Sequence, residues 1–215
     1  MSKLSQENYE KLKHSKLEIF CGPMFSGKTE SLLRCLDRFY YAKIPFLVFK
    51  LKKDDRYAKD KVLSHSKSSI DAINIETPLD IWKECQKHPH IKTIAIDEIQ
   101  FLPTHDPDTL APLKFDVVAL CKKLKMEGYH VLASGLDMDF KGDPYGLMPQ
   151  LLAIADKVHK LKAVCFKCQE DAGFSTRLSD NEAVEDIGGT DKYEARCYAH
   201  WLEHILEIKK QKSQK

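Results

Sequence analysis

Eight residues, Gly22-Pro-Met-Phe-Ser-Gly27-Lys28-Thr29, constrain the fold of this chain more than any other stretch. They match G-x-x-x-x-G-K-[ST] at every fixed position. The pattern needs glycines where the backbone turns tightly enough for its N–H groups to converge on phosphate oxygens, between a strand and a helix whose N-terminal dipole faces the anion. Both flanks are present. Leu17 to Cys21 is a short apolar run that reads as a buried strand, and Glu30 to Ala42 carries Leu32, Leu33, Leu36 and Phe39 at helical spacing. Gly22, Pro23, Met24, Phe25, Ser26, Gly27, Lys28 and Thr29 are therefore expected to cradle a nucleoside triphosphate, with Lys28 on the β- and γ-phosphates and Thr29 on Mg²⁺.

A strand that feeds such a loop belongs to a sheet. Phe46 to Phe49, Ile94 to Ile96 and Val131 to Ala133 repeat the short apolar pattern, and Pro78 to Lys87 and Val117 to Glu127 repeat the helical one. Alternating strand and helix predict an α/β fold, a P-loop, RecA-like domain with a parallel sheet. The alternation fades after Asp156. Lys157 to Cys165 reads as one last strand, and a boundary near Lys162 divides a domain at 1–161 from a small module at 162–205. Residues 206–215, ending KKQKSQK, are expected to be a disordered basic tail, and Lys52 to Ser69 a flexible loop. With 215 residues and 43% hydrophobic content the chain can bury one full core and a small satellite.

A second motif belongs with the first. Thr93-Ile-Ala-Ile-Asp97-Glu98 is an apolar strand ending in two carboxylates, the Walker-B arrangement, in which Asp97 holds the metal and Glu98 faces the γ-phosphate. A carboxylate at Glu98 can activate water, giving a hydrolase, or a substrate hydroxyl, giving a kinase. The two motifs leave that choice open.

Of seven cysteines, Cys21, Cys35, Cys85 and Cys121 sit singly in apolar or helical patterns, as buried thiols do. The other three form knuckles with a histidine, Cys165-Phe-Lys-Cys168 and Cys197-Tyr-Ala-His200, four ligands that can close a structural Zn²⁺ site with no position left for catalysis. His204 nearby is expected to face solvent. Between the knuckles, eight acidic residues stand against three basic ones, which would repel a phosphate backbone. Lys+Arg 34 against Asp+Glu 32 leaves a net charge of +2 and no bulk field for nucleic acid or membrane. No window approaches the roughly 20 apolar residues that span a bilayer, and the polar N-terminus is unlike a signal peptide, so a cytoplasmic protein is expected.

GPMFSGKT, IDEIQF, SGLDMDFKGDPYG, LKAVCFKC, IGGTDKY and CYAH fall in the order and spacing of type II thymidine kinases, which the chain resembles from about Lys16 to His200. The resemblance implies phosphoryl transfer from ATP to the 5′-hydroxyl of thymidine, with Mg²⁺ as cofactor and a zinc-anchored lasso closing over the base. It makes Glu98 the general base and Asp97 the carboxylate associated with Mg²⁺. It places Asp54, Asp55 and Arg56 near the phosphates, with Arg56 able to stabilise transition-state charge, and Gln100 beside the same pocket. For the base it implies Met24, Leu136 and Phe140 as apolar pocket residues, Tyr193 as an aromatic neighbour and Ser175 where a Thr hydroxyl is usual. The strand Val184, Glu185, Asp186, Ile187 and Gly188 would offer backbone groups. It also implies a homotetramer and feedback inhibition by dTTP. Ile99 stands where the family usually has Gly or Ala, Asp55 where Thr is common, and Asp186 where an aliphatic is usual.

Overall fold

The computed structural model describes residues 5–52, 61–63, 69–106, 108–179 and 189–213. Helix α1 (Gln6–Leu12) leads into β1 (Lys16–Cys21), which runs through the phosphate loop into α2 (Lys28–Tyr41) and β2 (Phe46–Leu51). A short antiparallel pair, β3 (Lys61–Leu63) with β4 (Ser69–Asp71), precedes β5 (Ile73–Ile75), α3 (Pro78–Lys87) and β6 (Thr93–Ile96). After a 3-10 turn at Ile99–Phe101 come α4 (Val117–Met126), β7 (His130–Gly135), α5 (Met148–Ile154) and β8 (Lys157–Lys160). The C-terminal part holds β9 (Ala163–Val164), β10 (Asp171–Ala172), β11 (Phe174–Arg177), β12 (Tyr193–Arg196) and α6 (Tyr198–Ser213).

Among the described residues, six strands form one sheet in the order β5-β2-β6-β7-β1-β8, with every neighbouring pair parallel. Side chains alternate across it, because successive residues of a strand point to opposite faces. Leu17, Ile19, Phe49, Ile94, Ile96, Val131 and Ala133 share one core with Ile81 of α3, Leu120 and Leu124 of α4 and Leu151 of α5. Phe20, Val48, Ala95 and Leu132 on the other face pack against Leu32, Leu33 and Leu36 of α2. The sequence stripe read on α2 is the stripe that it buries. Helix α3 starts where Thr77 and Asp80 cap each other reciprocally, and α4 where the Asp116 carboxylate accepts the Ala119 N–H at 2.8 Å.

This order puts β7 between β1 and β6, so the P-loop and Asp97 leave the same edge of the sheet two strands apart. That edge, outside the carboxyl ends of parallel strands, is where open α/β sheets carry their ligands.

Four expectations are corrected. The run Lys157 to Cys165 is not one strand: β8 pairs with β1 and ends at Lys160, the Leu161 N–H then bonds the Cys21 carbonyl at 2.7 Å, and β9 pairs elsewhere, with β10. The stretch Lys52 to Ser69 is not wholly loop, since β3 and the start of β4 lie in it. Residues 206–213 continue α6 rather than forming an irregular tail. His204 does not face solvent freely: its ring lies half-buried with Nε2 3.0 Å from the Arg177 carbonyl, which ties α6 to β11.

Candidate functional site

The phosphate loop is held open by backbone geometry. Gly22 adopts φ 145°, and a Cβ there would lie 2.4 Å from the Leu161 carbonyl oxygen, so only glycine fits where the chain returning from β8 crosses the loop. Gly27, at φ 74°, is the N-cap of α2, whose first turn presents its N–H groups to the loop. Phe25 takes φ 65°, a left-handed conformation uncommon for an aromatic residue, and its ring packs against the small C-terminal core. Lys28 is buried, its Nζ donating to the Pro23 carbonyl at 2.7 Å, and the Ser26 hydroxyl donates to the same oxygen at 2.8 Å.

The two residues expected at Mg²⁺ meet across β7. The Thr29 hydroxyl donates to Asp97 Oδ1 at 3.1 Å, and the Ser134 hydroxyl on β7 donates to the same oxygen. This pairing of a hydroxyl with a carboxylate supplies the hard oxygen donors that Mg²⁺ prefers. Ser134 was missed in the sequence. The signal was a hydroxyl inside the otherwise apolar run Val131 to Gly135, beside two carboxylates.

Glu98 follows directly, at φ 50°. A non-glycine residue held in this region is strained by about 1–3 kcal/mol, a cost usually met where the side chain has a task. Gln100 orients it: the amide Nε2 donates to Glu98 Oε2 at 2.6 Å, while its Oε1 accepts the Leu136 N–H at 3.1 Å. One buried amide thus connects the carboxylate to the loop that begins at Leu136. Ile99 is fully buried in the main core, with Cγ2 3.0 Å from where a Cβ on Gly135 would stand, so its bulk fills core volume.

The residues expected around the base come from both parts of the chain. Ser175 on β11 accepts the Met24 N–H at 2.9 Å, which joins the C-terminal module to the phosphate loop. Phe140, half-buried, lies under the Arg177 guanidinium, whose carbon is 3.9 Å from the ring centroid, and Arg177 donates from Nη2 to the Tyr193 hydroxyl at 2.6 Å. Met24, Phe140, Ser175 and Tyr193 are therefore linked through two strands of the module. Phe101 and Tyr145, edge to face at 5.7 Å, lie in the same segments as Gln100 and Phe140 and were not singled out from the sequence. Asp54, Asp55 and Arg56, and Val184, Glu185, Asp186, Ile187 and Gly188, lie outside the described residues.

Cys165, Cys168, Cys197 and His200 converge, with ligand atoms all within 4.8 Å of one another. Zn²⁺ about 2.3 Å from sulfur and about 2.0 Å from nitrogen sets tetrahedral edges of about 3.8 Å between sulfurs and about 3.5 Å from sulfur to nitrogen. Cys168 Sγ to Cys197 Sγ is 3.8 Å, and His200 Nδ1 lies 3.2 Å from Cys197 Sγ and 3.7 Å from Cys165 Sγ. The quartet is compatible with zinc. Burial pushes the Cys165 thiol up, but the backbone around Cys197, Cys168 and Lys167 outweighs it and holds the thiol down at about 6, which favours the thiolate that a metal needs. Burial has the opposite net result at the lone cysteines, where the Cys85 and Cys121 thiols rise to about 12.

Among the described residues, no helix is long and apolar enough to cross a membrane. The family model described as thymidine kinase matches residues 15–201. Among solved structures, the chain is similar to domain III of the Thermotoga maritima replication initiation protein DnaA, at 12% identity and TM-score 0.38, over 73% of this chain and 60% of that one. It is also similar to the Pif1 helicase from Candida albicans, at 16% identity and TM-score 0.37, over 75% of this chain and 40% of that one. The chain thus spans less than two thirds of the length of either structure.

Proposed function

The chain belongs to the thymidine kinase family, and on that premise we propose that it transfers the γ-phosphoryl group of ATP to the 5′-hydroxyl of thymidine, releasing ADP and dTMP. The observation that carries the acceptor side is the Gln100 amide, bonded at once to Glu98 and to the Leu136 N–H. A carboxylate aimed only at water needs no such link. One tied through Gln100 to Leu136 of the proposed base pocket supports a nucleoside hydroxyl as acceptor.

In this mechanism the loop from Gly22 to Thr29 binds the triphosphate, and Lys28 releases the Pro23 carbonyl to meet the β- and γ-phosphates. Thr29 and Asp97 would hold Mg²⁺, which supplies charge neutralisation at the phosphates. Glu98 accepts the 5′-hydroxyl proton as that oxygen attacks phosphorus, and Gln100 keeps the carboxylate turned towards it. Met24, Leu136, Phe140, Ser175 and Tyr193 surround the base, with residues 184–188 contributing backbone groups. Asp54, Asp55 and Arg56 attend the phosphates.

The proposal includes one structural Zn²⁺ per chain on Cys165, Cys168, Cys197 and His200, supported by ligand spacings that fit a tetrahedron. Two domains, 1–161 and 162–205, divide the work. Support for a cytoplasmic homotetramer inhibited by dTTP is the family resemblance. Product analysis with ATP in the presence and absence of thymidine tests the proposal. One dTMP per ADP supports it, and ADP release at an equal rate without nucleoside would replace it by a hydrolase in which Glu98 activates water.

A further inference from the structure

Arg177, the last residue of β11, is 2% exposed, yet no step above uses it. A guanidinium taken out of water costs several kcal/mol unless its surroundings compensate. Here Nε and Nη2 both donate to the Tyr193 hydroxyl, at 3.0 and 2.6 Å, across the β11–β12 pair in which Arg177 and Tyr193 stand opposite each other. The same planar group covers the Phe140 ring at 3.9 Å and lies 5.2 Å from the Tyr193 ring centroid. Phe140 belongs to the segment after β7, whereas Tyr193 belongs to the C-terminal module. Arg177 is where the two rings meet.

The backbone on both sides is pinned. Trp201 Nε1 on α6 donates to the Phe140 carbonyl at 3.1 Å, and His204, less than one turn further along the same helix, meets the Arg177 carbonyl at 3.0 Å. Neighbouring Ser175 on the same side of β11 accepts the Met24 N–H. The guanidinium therefore sits in a frame that fixes the Phe140 and Tyr193 rings relative to each other and to the phosphate loop.

Resting on the thymidine reading above, we propose that Arg177 is a positioning residue for the nucleoside. It holds the Phe140 and Tyr193 rings in place for a flat pyrimidine. Only a planar fork can stack on one ring while donating twice to the hydroxyl of the other, so lysine should not replace it.

The test is steady-state kinetics on Arg177→Lys and Tyr193→Phe with both substrates varied. Arg177→Lys is expected to raise KM for thymidine about ten-fold or more, with KM for ATP and kcat within about two-fold. Tyr193→Phe keeps the ring and removes only the hydroxyl, and it should raise thymidine KM about three-fold. In the double variant the two effects should fall short of additive, because both remove one interaction. A merely structural Arg177 would instead disturb both substrates alike or lower kcat alone, and either result overturns the proposal, as does unchanged thymidine KM. Should Arg177→Lys fail to fold, Arg177→Gln, whose planar amide keeps a donor for the Tyr193 hydroxyl, decides by the same split. Wild-type protein that forms no dTMP would sink the functional reading itself, whereas normal dTMP formation with an indifferent Arg177→Lys sinks this inference alone.

Discussion

The sheet domain and the C-terminal module are held together by different forces. In the sheet, Leu17, Ile19, Phe49, Ile94, Ile96, Leu120, Leu124 and Val131 are essentially removed from water, and each such side chain contributes about 1.5–3 kcal/mol. Among the described residues, the buried apolar core of the module consists of Ala163, Cys165, Ala172 and Ala195, with Phe25 and Cys197 against it. Side chains so small, even with the stacked Phe174 and Trp201 rings nearby, offset little of the entropy of ordering the backbone around them. The two regions divide the labour. The half proposed to bind the triphosphate is built by apolar burial, whereas the half proposed to enclose the base depends on four metal-spaced ligands and on docking to the loop through Met24 and Phe25.

The largest effect should come from removing zinc. Structural Zn²⁺ contributes about 10–16 kcal/mol in zinc-finger peptides, so chelation, or Cys165→Ala, should abolish hydrogen-exchange protection in β9 to β12 while β1, β6 and β7 keep theirs. Protection surviving in the module would break the comparison. Next is Glu98→Gln, expected to lower kcat by about 10²–10⁴-fold with ATP affinity within about two-fold, checked by initial rates and equilibrium ATP binding. Near-normal kcat would remove Glu98 as the base.

Leu36→Ala should destabilise the sheet domain by about 2–5 kcal/mol in denaturant unfolding, leaving one zinc per chain by elemental analysis. A parallel loss of zinc would mean that the two regions are one folding unit. The smallest effect concerns Glu18, whose two oxygens lie 3.2 and 3.3 Å from the Nε2 atoms of His130 and His159. Burial raises its pKa, but His159, His130 and Lys157 outweigh this and leave it below 4.5. Because the folded value is depressed, its stabilisation is present above pH 4.5 and is lost as pH falls through the folded value. Glu18→Gln should therefore cost about 1 kcal/mol near pH 5, where the histidines carry charge and Glu18 is ionised, and progressively less towards pH 3 in urea melts. A gap that widens on acidification would contradict the assignment.

What could be read in the sequence was local. The P-loop, the carboxylates after β6, the stripe of α2 and the metal quartet each declare themselves within a few residues, through spacing or periodicity. What escaped depended on distant neighbours. β5 is three residues long and becomes a strand only beside β2. The break between β8 and β9 follows from Leu161 bonding Cys21, and α6 runs on to Ser213 after Trp201 and His204 dock on Phe140 and Arg177. Ser134 and Arg177 gain their importance from Asp97, Phe140 and Tyr193, which lie far along the chain and close in space. Ile99 shows the reverse. A residue unlike the family's usual one at that position turns into the core.

The division of labour is tested most directly by titrating thymidine and a non-hydrolysable ATP analogue, in turn, into the zinc-bound and the zinc-stripped protein by calorimetry. Stripping zinc is expected to abolish the heat of thymidine binding and to leave the affinity for the ATP analogue within about three-fold, because the apolar core of the sheet, and not the metal, holds the strand and helix that flank the phosphate loop. Thymidine binding equally well without zinc, or both ligands lost together, would contradict it.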